Sequence, residues 1–167
     1  MIKMKIDKYA TSLSSKILYD DMINNDKACE IVFHIRNNFV QTDFNVNKLC
    51  DLIQVSRQYL YDLTLKHFNQ TPSEIIERNR LLYAIHLFPE GYSLKKITYM
   101  SGFYSSNTFR KVFQYYFKMN PSEFRVKFSN EEDKIAFFRN CHQLIDPWNE
   151  NEKYRFFAKS ILQEELT

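Results

Sequence analysis

One stretch of this 167-residue chain is written twice. Leu49-Cys50 lines up with Ile97-Thr98, 48 residues further on. After one extra residue in the intervening turn, Ser56 aligns with Ser105, Leu60 with Phe109, Leu63 with Val112 and Phe68 with Phe117. Thr71-Pro72-Ser73-Glu74 then aligns with Asn120-Pro121-Ser122-Glu123. Each copy reads as a short helix, a tight turn, a longer helix and a proline-capped helix start. Apolar residues recur at steps of three and four behind a capping Ser, Thr or Asn, which is the pattern such helices need. The repeat therefore predicts two copies of one helical unit, bridged by the helix from about Pro72 to Phe88.

The remainder of the chain also reads as helix. Only two glycines and four prolines are present, too few to punctuate a sheet-rich fold. With 44% apolar and 16% aromatic residues, a packed core is expected rather than disorder. Residues 26–40 place Cys29, Val32, Phe33, Arg36 and Val40 on one helical stripe. Asn45-Val46-Asn47 leads into Leu49, Cys50, Leu52 and Ile53, and Ser56 caps a helix expected to turn Tyr59, Leu60, Leu63 and Phe68 inward. Further helices are expected over 130–143, with Ile135, Phe138 and Leu144 packing, and over 150–165, with Tyr154, Phe157, Ala158, Ile161 and Leu162 on one stripe. The simplest role for these flanks is packing on the core. The fold class is thus all-α: two helix-turn-helix subdomains joined by a linker helix, with extra N- and C-terminal helices.

Charge divides along the chain. Residues 1–43 balance at 0, residues 44–128 carry +6 and residues 129–167 carry −3, which together give the net +3. The expected organisation is a helical lead (1–43), a basic unit (44–128, split as 44–72, linker 73–90 and 91–128) and an acidic extension (129–167). A basic segment suits a polyanionic partner, although a surplus of this size also occurs on ordinary surfaces. The opening residues lack a signal-peptide apolar run, and no stretch of about 18 apolar residues could span a membrane. Cys29, Cys50 and Cys141 are odd in number and widely spaced, which points to reduced thiols in the cytoplasm and to no metal site.

A short helix, a three- to four-residue turn and a longer helix describe a helix-turn-helix, whose second helix fits the DNA major groove. The segments Ser93-Leu94-Lys95-Lys96-Ile97-Thr98, Gly102-Phe103, Ser106-Asn107-Thr108-Phe109-Arg110-Lys111-Val112-Phe113 and Asn120-Pro121-Ser122-Glu123-Phe124-Arg125 strongly resemble the second helix-turn-helix of AraC/XylS-type regulators. The upstream half, from Leu49-Cys50 through Ser56, Tyr59-Leu60 and Pro72-Ser73, resembles the first, and Arg80-Leu81 and Ala84 fall where that family's linker helix carries Arg-Leu and Ala. The resemblance covers about residues 44–128 and is more specific in the distal half.

The resemblance implies a sequence-specific regulator that reads two adjacent major-groove segments of double-stranded DNA. Arg57, Gln58, Tyr61 and Asp62 in the first unit, and Ser106, Asn107, Arg110 and Lys111 in the second, map onto the family's groove-facing positions. Arg suits guanine, and Asn or Gln suits adenine. Ser56, Lys66, Lys95, Lys96 and Ser105 are expected at phosphates, which position without specifying. Gly102 is expected to take a positive φ in the turn, with Phe103 as an apolar plug.

Four residues depart from the family pattern. Lys118 and Asn69 stand where glycine is usual; Lys fits a left-handed turn poorly, so the second turn is expected to be rebuilt. Thr64 replaces an apolar aromatic, weakening the first core, and Asp62 would accept from cytosine N4 but repel phosphate. These departures leave open a second reading, a helical interaction module that antagonises a regulator without binding DNA. Enzymatic chemistry has no support: His34, His67, His86 and His142 are scattered, without metalloprotease spacing, a nucleophile elbow or a phosphate-cradling loop. No cofactor is expected; RNA polymerase is a further expected partner, and a monomer or weak dimer the expected state. The 43 leading residues are too few for an effector-binding domain, so a short stand-alone type or a fragment is expected.

Overall fold

The computed structural model describes residues 26–148 together with 152, 154 and 155. Most of the helix expected over 150–165, and the first 25 residues of the lead, lie outside the described residues. Eight helices and no strand are found among the described residues. They are α1 (Lys27–Asn38), α2 (Val46–Ile53), α3 (Arg57–Phe68), α4 (Pro72–Leu87), α5 (Leu94–Met100), α6 (Ser106–Phe117), α7 (Pro121–Asn130) and α8 (Lys134–Ile145).

Local chemistry sets most of the boundaries. Thr71 and Asn120 each close a reciprocal capping box, with Glu74 and Glu123 reaching back to the cap, and Pro72 and Pro121 open the helices that follow. Ser56, Ser93 and Ser105 accept backbone N–H bonds at the starts of α3, α5 and α6. Lys118 and Asn69 both take left-handed φ values, 57° and 54°, at the ends of α6 and α3. The turn at Lys118 is therefore not rebuilt. Its N–H reaches Gln114 O and its ammonium donates to Tyr115 O at 2.7 Å, holding the strained backbone in place.

Two cores form, one per unit. In the second, Phe103, Phe109, Phe113, Phe117 and Phe124 interlock with Leu81, Ile85 and Phe88 of α4. The first gathers Leu49, Ile53, Leu60, Phe68 and Ile75. Thr64, where the second unit has Phe113, is fully buried and donates to Tyr61 O at 3.1 Å. This core is completed from outside the unit, by Ile31, Val32 and Ile35 of α1 and by Trp148 and Tyr154 beyond α8. Trp148 and Tyr154 both pack on the Phe68 ring, at 5.4 and 4.9 Å between centroids.

The linker helix α4 fastens the flanks. Arg80 donates to three backbone carbonyls at the end of α1, Phe39 (2.8 Å), Gln41 (3.0 Å) and Phe44 (2.8 Å). Two residues earlier, Arg78 donates to Ile145 O at 3.0 Å, at the end of α8, and to the Gln70 side chain at 2.8 Å. Gln70 in turn donates to Pro147 O at 2.8 Å. Arg78 thus supplies donors to carbonyls at the C-terminal end of α8, and Arg80 to carbonyls at the C-cap of α1 and along the loop that follows it.

The Gly102 turn presses on the same place. With φ +86°, a Cβ there would sit 2.2 Å from Phe39 O and 3.0 Å from Arg80 Nε. The matching residue of the first unit, Gln54, also takes a left-handed φ of 54°, but it is exposed and tolerates a side chain.

Several expectations about facing are corrected. Tyr59 and Leu52 lie on the surface, because α2 and α3 bury only the stripes led by Leu49 and Leu60. Asn130 ends α7, and the following helix starts only after Asp133, whose side chain caps Ala136 N–H. Within it, Ile135 (74% exposed) and Leu144 (52%) face outward, and the helix buries Cys141 and Ile145 against the second core instead. Arg36, expected on an apolar stripe, donates to the buried Asn79 side chain at 3.1 Å.

Two predictions follow from this packing. Gly102→Ala loses at least about 3 kcal/mol of unfolding free energy, because strain and a backbone overlap coincide there. Gly91→Ala, at φ +71° in open space, loses only about 1–2 kcal/mol; equal urea midpoints for the two variants would contradict the keystone role of Gly102. The second concerns His86, which lies 2.7 Å from His142 of α8, nitrogen to nitrogen, under a stacked Phe138 ring. Partial burial, reinforced by His142, holds the His86 pKa below its ordinary value of 6.5. A lowered pKa means that the unfolded chain binds the proton more readily. Stability is thus fully present above about pH 6.5 and declines as pH falls below it. Urea midpoints measured between pH 7.5 and 5.5 should drop for the native chain and drop less steeply for His86→Gln, the remaining dependence including the partly buried His34, whose pKa burial also lowers.

Candidate nucleic-acid interface

In the distal unit, Ser93 caps α5, which buries Ile97 and Thr98. The chain then turns through Gly102, and Phe103 is buried between the helices as the plug expected of it. Ser105 accepts from Thr108 N–H at 3.2 Å and starts α6. Phe109, Phe113 and Phe117 take one face of α6 inward. The helical period then requires the residues between them to face out. Ser106, Asn107, Arg110 and Lys111 are all exposed, and among the described residues none makes a side-chain hydrogen bond. They form a polar stripe with its donors and acceptors open to solvent.

The proximal unit presents its stripe differently. Arg57, Gln58 and Asp62 are exposed on α3, but they are engaged. Arg57 donates to the Asn47 side chain of α2 at 3.1 Å and lies over the Tyr61 ring at 5.7 Å. Gln58 donates to Asp62 Oδ1 at 2.9 Å. Tyr61 is half-buried and packs against the first core, so it is set back from the other three.

The residues expected at phosphates fall into two groups. Lys66, Lys95 and Lys96 are exposed cations, and Lys96 lies 3.8 Å above the Tyr92 ring. Ser56 and Ser105 use their hydroxyl oxygens as helix caps, and the hydroxyl hydrogen of Ser56 is left as a donor. Ser105 also pairs with the Thr108 hydroxyl at 3.0 Å. Sequence reasoning missed Asn47, and also Tyr104, which is 78% exposed on the turn just ahead of α6. Asn47 carries no periodic signal, because it matters only through a side chain ten positions away. Tyr104 is the one-residue insertion of the second copy.

Comparison with known proteins bears on this geometry. Residues 49–127 match the family described as a helix-turn-helix domain. The raffinose operon transcriptional regulatory protein RafR of Pediococcus pentosaceus is 33% identical over 95 residues, 56% of this chain and 34% of that protein. The Msm operon regulatory protein of Streptococcus mutans is 31% identical over 90 residues, 53% of this chain and 32% of that protein. The chain thus spans about a third of the length of these curated relatives. The C-terminal domain of the two-component response regulator yesN from Fusobacterium nucleatum has the same fold, with a TM-score of 0.56 at 22% identity, covering 60% of this chain and 99% of that domain. No helix among the described residues is long and apolar enough to cross a membrane.

The end of α6 can be tested directly. Lys118→Gly relieves a left-handed non-glycine residue and forfeits only an exposed hydrogen bond. It should gain roughly 0.5–1 kcal/mol in urea unfolding. A loss of stability would mean that the Lys118–Tyr115 contacts outweigh the strain.

Proposed function

We propose that the protein binds double-stranded DNA sequence-specifically and regulates transcription, a reading supported by the match of residues 49–127 to a helix-turn-helix domain and by their resemblance to AraC/XylS-type regulators. The observation that carries this reading is the open polar stripe of α6. Four exposed donors and acceptors without partners among the described residues stand on a helix whose opposite face is locked by three phenylalanines. A rigid helix presenting unengaged polar side chains is what major-groove readout requires. Asn107 suits adenine, Arg110 suits guanine, and Ser106 and Lys111 complete the contact.

The unit that reads DNA is residues 44–128, with 44–72 and 91–128 as its two readers and 73–90 as their link. Arg57, Gln58, Tyr61 and Asp62 face bases in the first. Lys66, Lys95, Lys96 and the hydroxyls of Ser56 and Ser105 face phosphates. Two readers fixed to one linker helix engage successive grooves only if the duplex bends toward them or one reader lets go. The protein acts in the cytoplasm as a monomer or weak dimer, has no catalytic role, and meets RNA polymerase at the promoter.

Selection of bound sites from random duplexes, followed by binding titrations in rising salt, tests the assignment. Arg110→Ala should lose about 1–3 kcal/mol of discrimination at one base pair and leave the others intact. Lys96→Ala should weaken all sequences alike and reduce the salt slope by about 1. Identical, sequence-independent effects would show that the recognition face is misplaced, and absence of duplex binding at about 50 mM salt would refute the reading.

A further inference from the structure

The two recognition helices differ in one respect that their sequences do not suggest. The readers on α6 make no side-chain hydrogen bonds among the described residues, whereas those on α3 are held by neighbours. We propose that Asp62 and Asn47 are positioning residues of the first reader: Asp62 orients the Gln58 amide and Asn47 orients the Arg57 guanidinium toward the DNA bases. The inference rests on the DNA-binding reading above.

The chemistry of each pair supports this assignment. Gln58 Nε2 donates to Asp62 Oδ1 at 2.9 Å, one helical turn away. An amide nitrogen has two N–H bonds, so one remains, beside the free Oε1. That donor and acceptor are what the adenine N7 and N6 amino group require. A carboxylate can only accept, so the pairing also decides which end of the amide points to Asp62.

Arg57 spends one N–H on Asn47 and rests on the Tyr61 ring, leaving further N–H donors of its fork for guanine. A side chain already held in place loses less freedom on binding. The arrangement also accounts for an acid on a surface meant for a polyanion. The charge of Asp62 costs overall affinity, and its oxygen sharpens discrimination.

The test uses the full chain and its selected site, with affinity measured for all four base pairs at each position. Gln58→Ala should reveal the position that Gln58 reads, by a loss of preference of roughly tenfold. Asp62→Ala should lose roughly threefold or more at that same position while binding all sequences more tightly, because a negative charge is gone. The Gln58→Ala/Asp62→Ala pair should lose no more preference than Gln58→Ala alone, and Asp62→Asn, which keeps an acceptor, should restore it. Asn47→Ala should act in the same way on the position read by Arg57.

Full preference retained in Asp62→Ala, or a loss at a different base pair, would overturn the inference and return Asp62 to the role of a base reader. A native chain that selects no sequence would overturn the DNA-binding reading, and this inference with it. Circular dichroism should be unchanged throughout, since Gln58, Asp62 and Asn47 are exposed.

Discussion

The guanidinium of Arg80, set against three carbonyls at the end of α1, is the contact on which the arrangement of the molecule turns. Burial disfavours its charge, and the nearby Glu77 carboxylate acts in the opposite sense. Hydrogen bonds to a charged donor contribute about 1.5–3 kcal/mol each, so three of them offset a desolvation cost of several kcal/mol. The same carbonyl of Phe39 also limits how closely the turn at Gly102 can approach. One point thus joins the lead helix, the linker helix and the second helix-turn-helix. Arg78 makes the corresponding attachment for α8. Two residues apart on a helix, the two side chains diverge by about 200°, so one linker holds a flanking helix on either side.

The lead helix α1 and the residues that follow α8 are therefore part of the proximal unit's core rather than additions to it, whereas α8 itself packs into the distal core. The distal unit closes over five interlocking phenylalanines, the linker and the inner face of α8. The proximal unit, with Thr64 in the place of Phe113, borrows α1, Trp148 and Tyr154. The Tyr154 hydroxyl lies 3.0 Å from His67 at the end of α3 and donates to Asp26, the cap of α1, at 3.4 Å. The first recognition helix is thus braced at its C-terminal end by segments from both ends of the described chain. On the proposed DNA-binding reading, such bracing makes independent movement of α3 costly and favours bending of the duplex over release of one unit.

Much of this was legible beforehand. The repeat, the two proline-opened capping boxes and the serine caps located α2 to α7 because each is a short-range signal that the backbone answers locally. Gly102 and Phe103 behaved as a tight turn and its plug must. Errors came where a long-range contact overrode a local preference. Lys118 keeps a conformation that its side chain disfavours, because the turn on either side is fixed by the packing of α6 and α7. Ile135 and Leu144 have apolar side chains but are exposed, with no partner face among the described residues, since α8 is set by Arg78, Cys141 and Ile145.

The sequence by itself determined the helices, their caps, the doubled unit and the list of polar residues on each recognition helix, because all of these depend on neighbours within a few positions. Tertiary structure decided which of those polar residues are engaged and which are open. Asn47 meets Arg57 only when α2 folds back along α3, and Arg80 meets Phe39, Gln41 and Phe44 only when the linker crosses the lead. Those contacts join residues 10 to 41 positions apart, and helical periodicity carries no information over such distances.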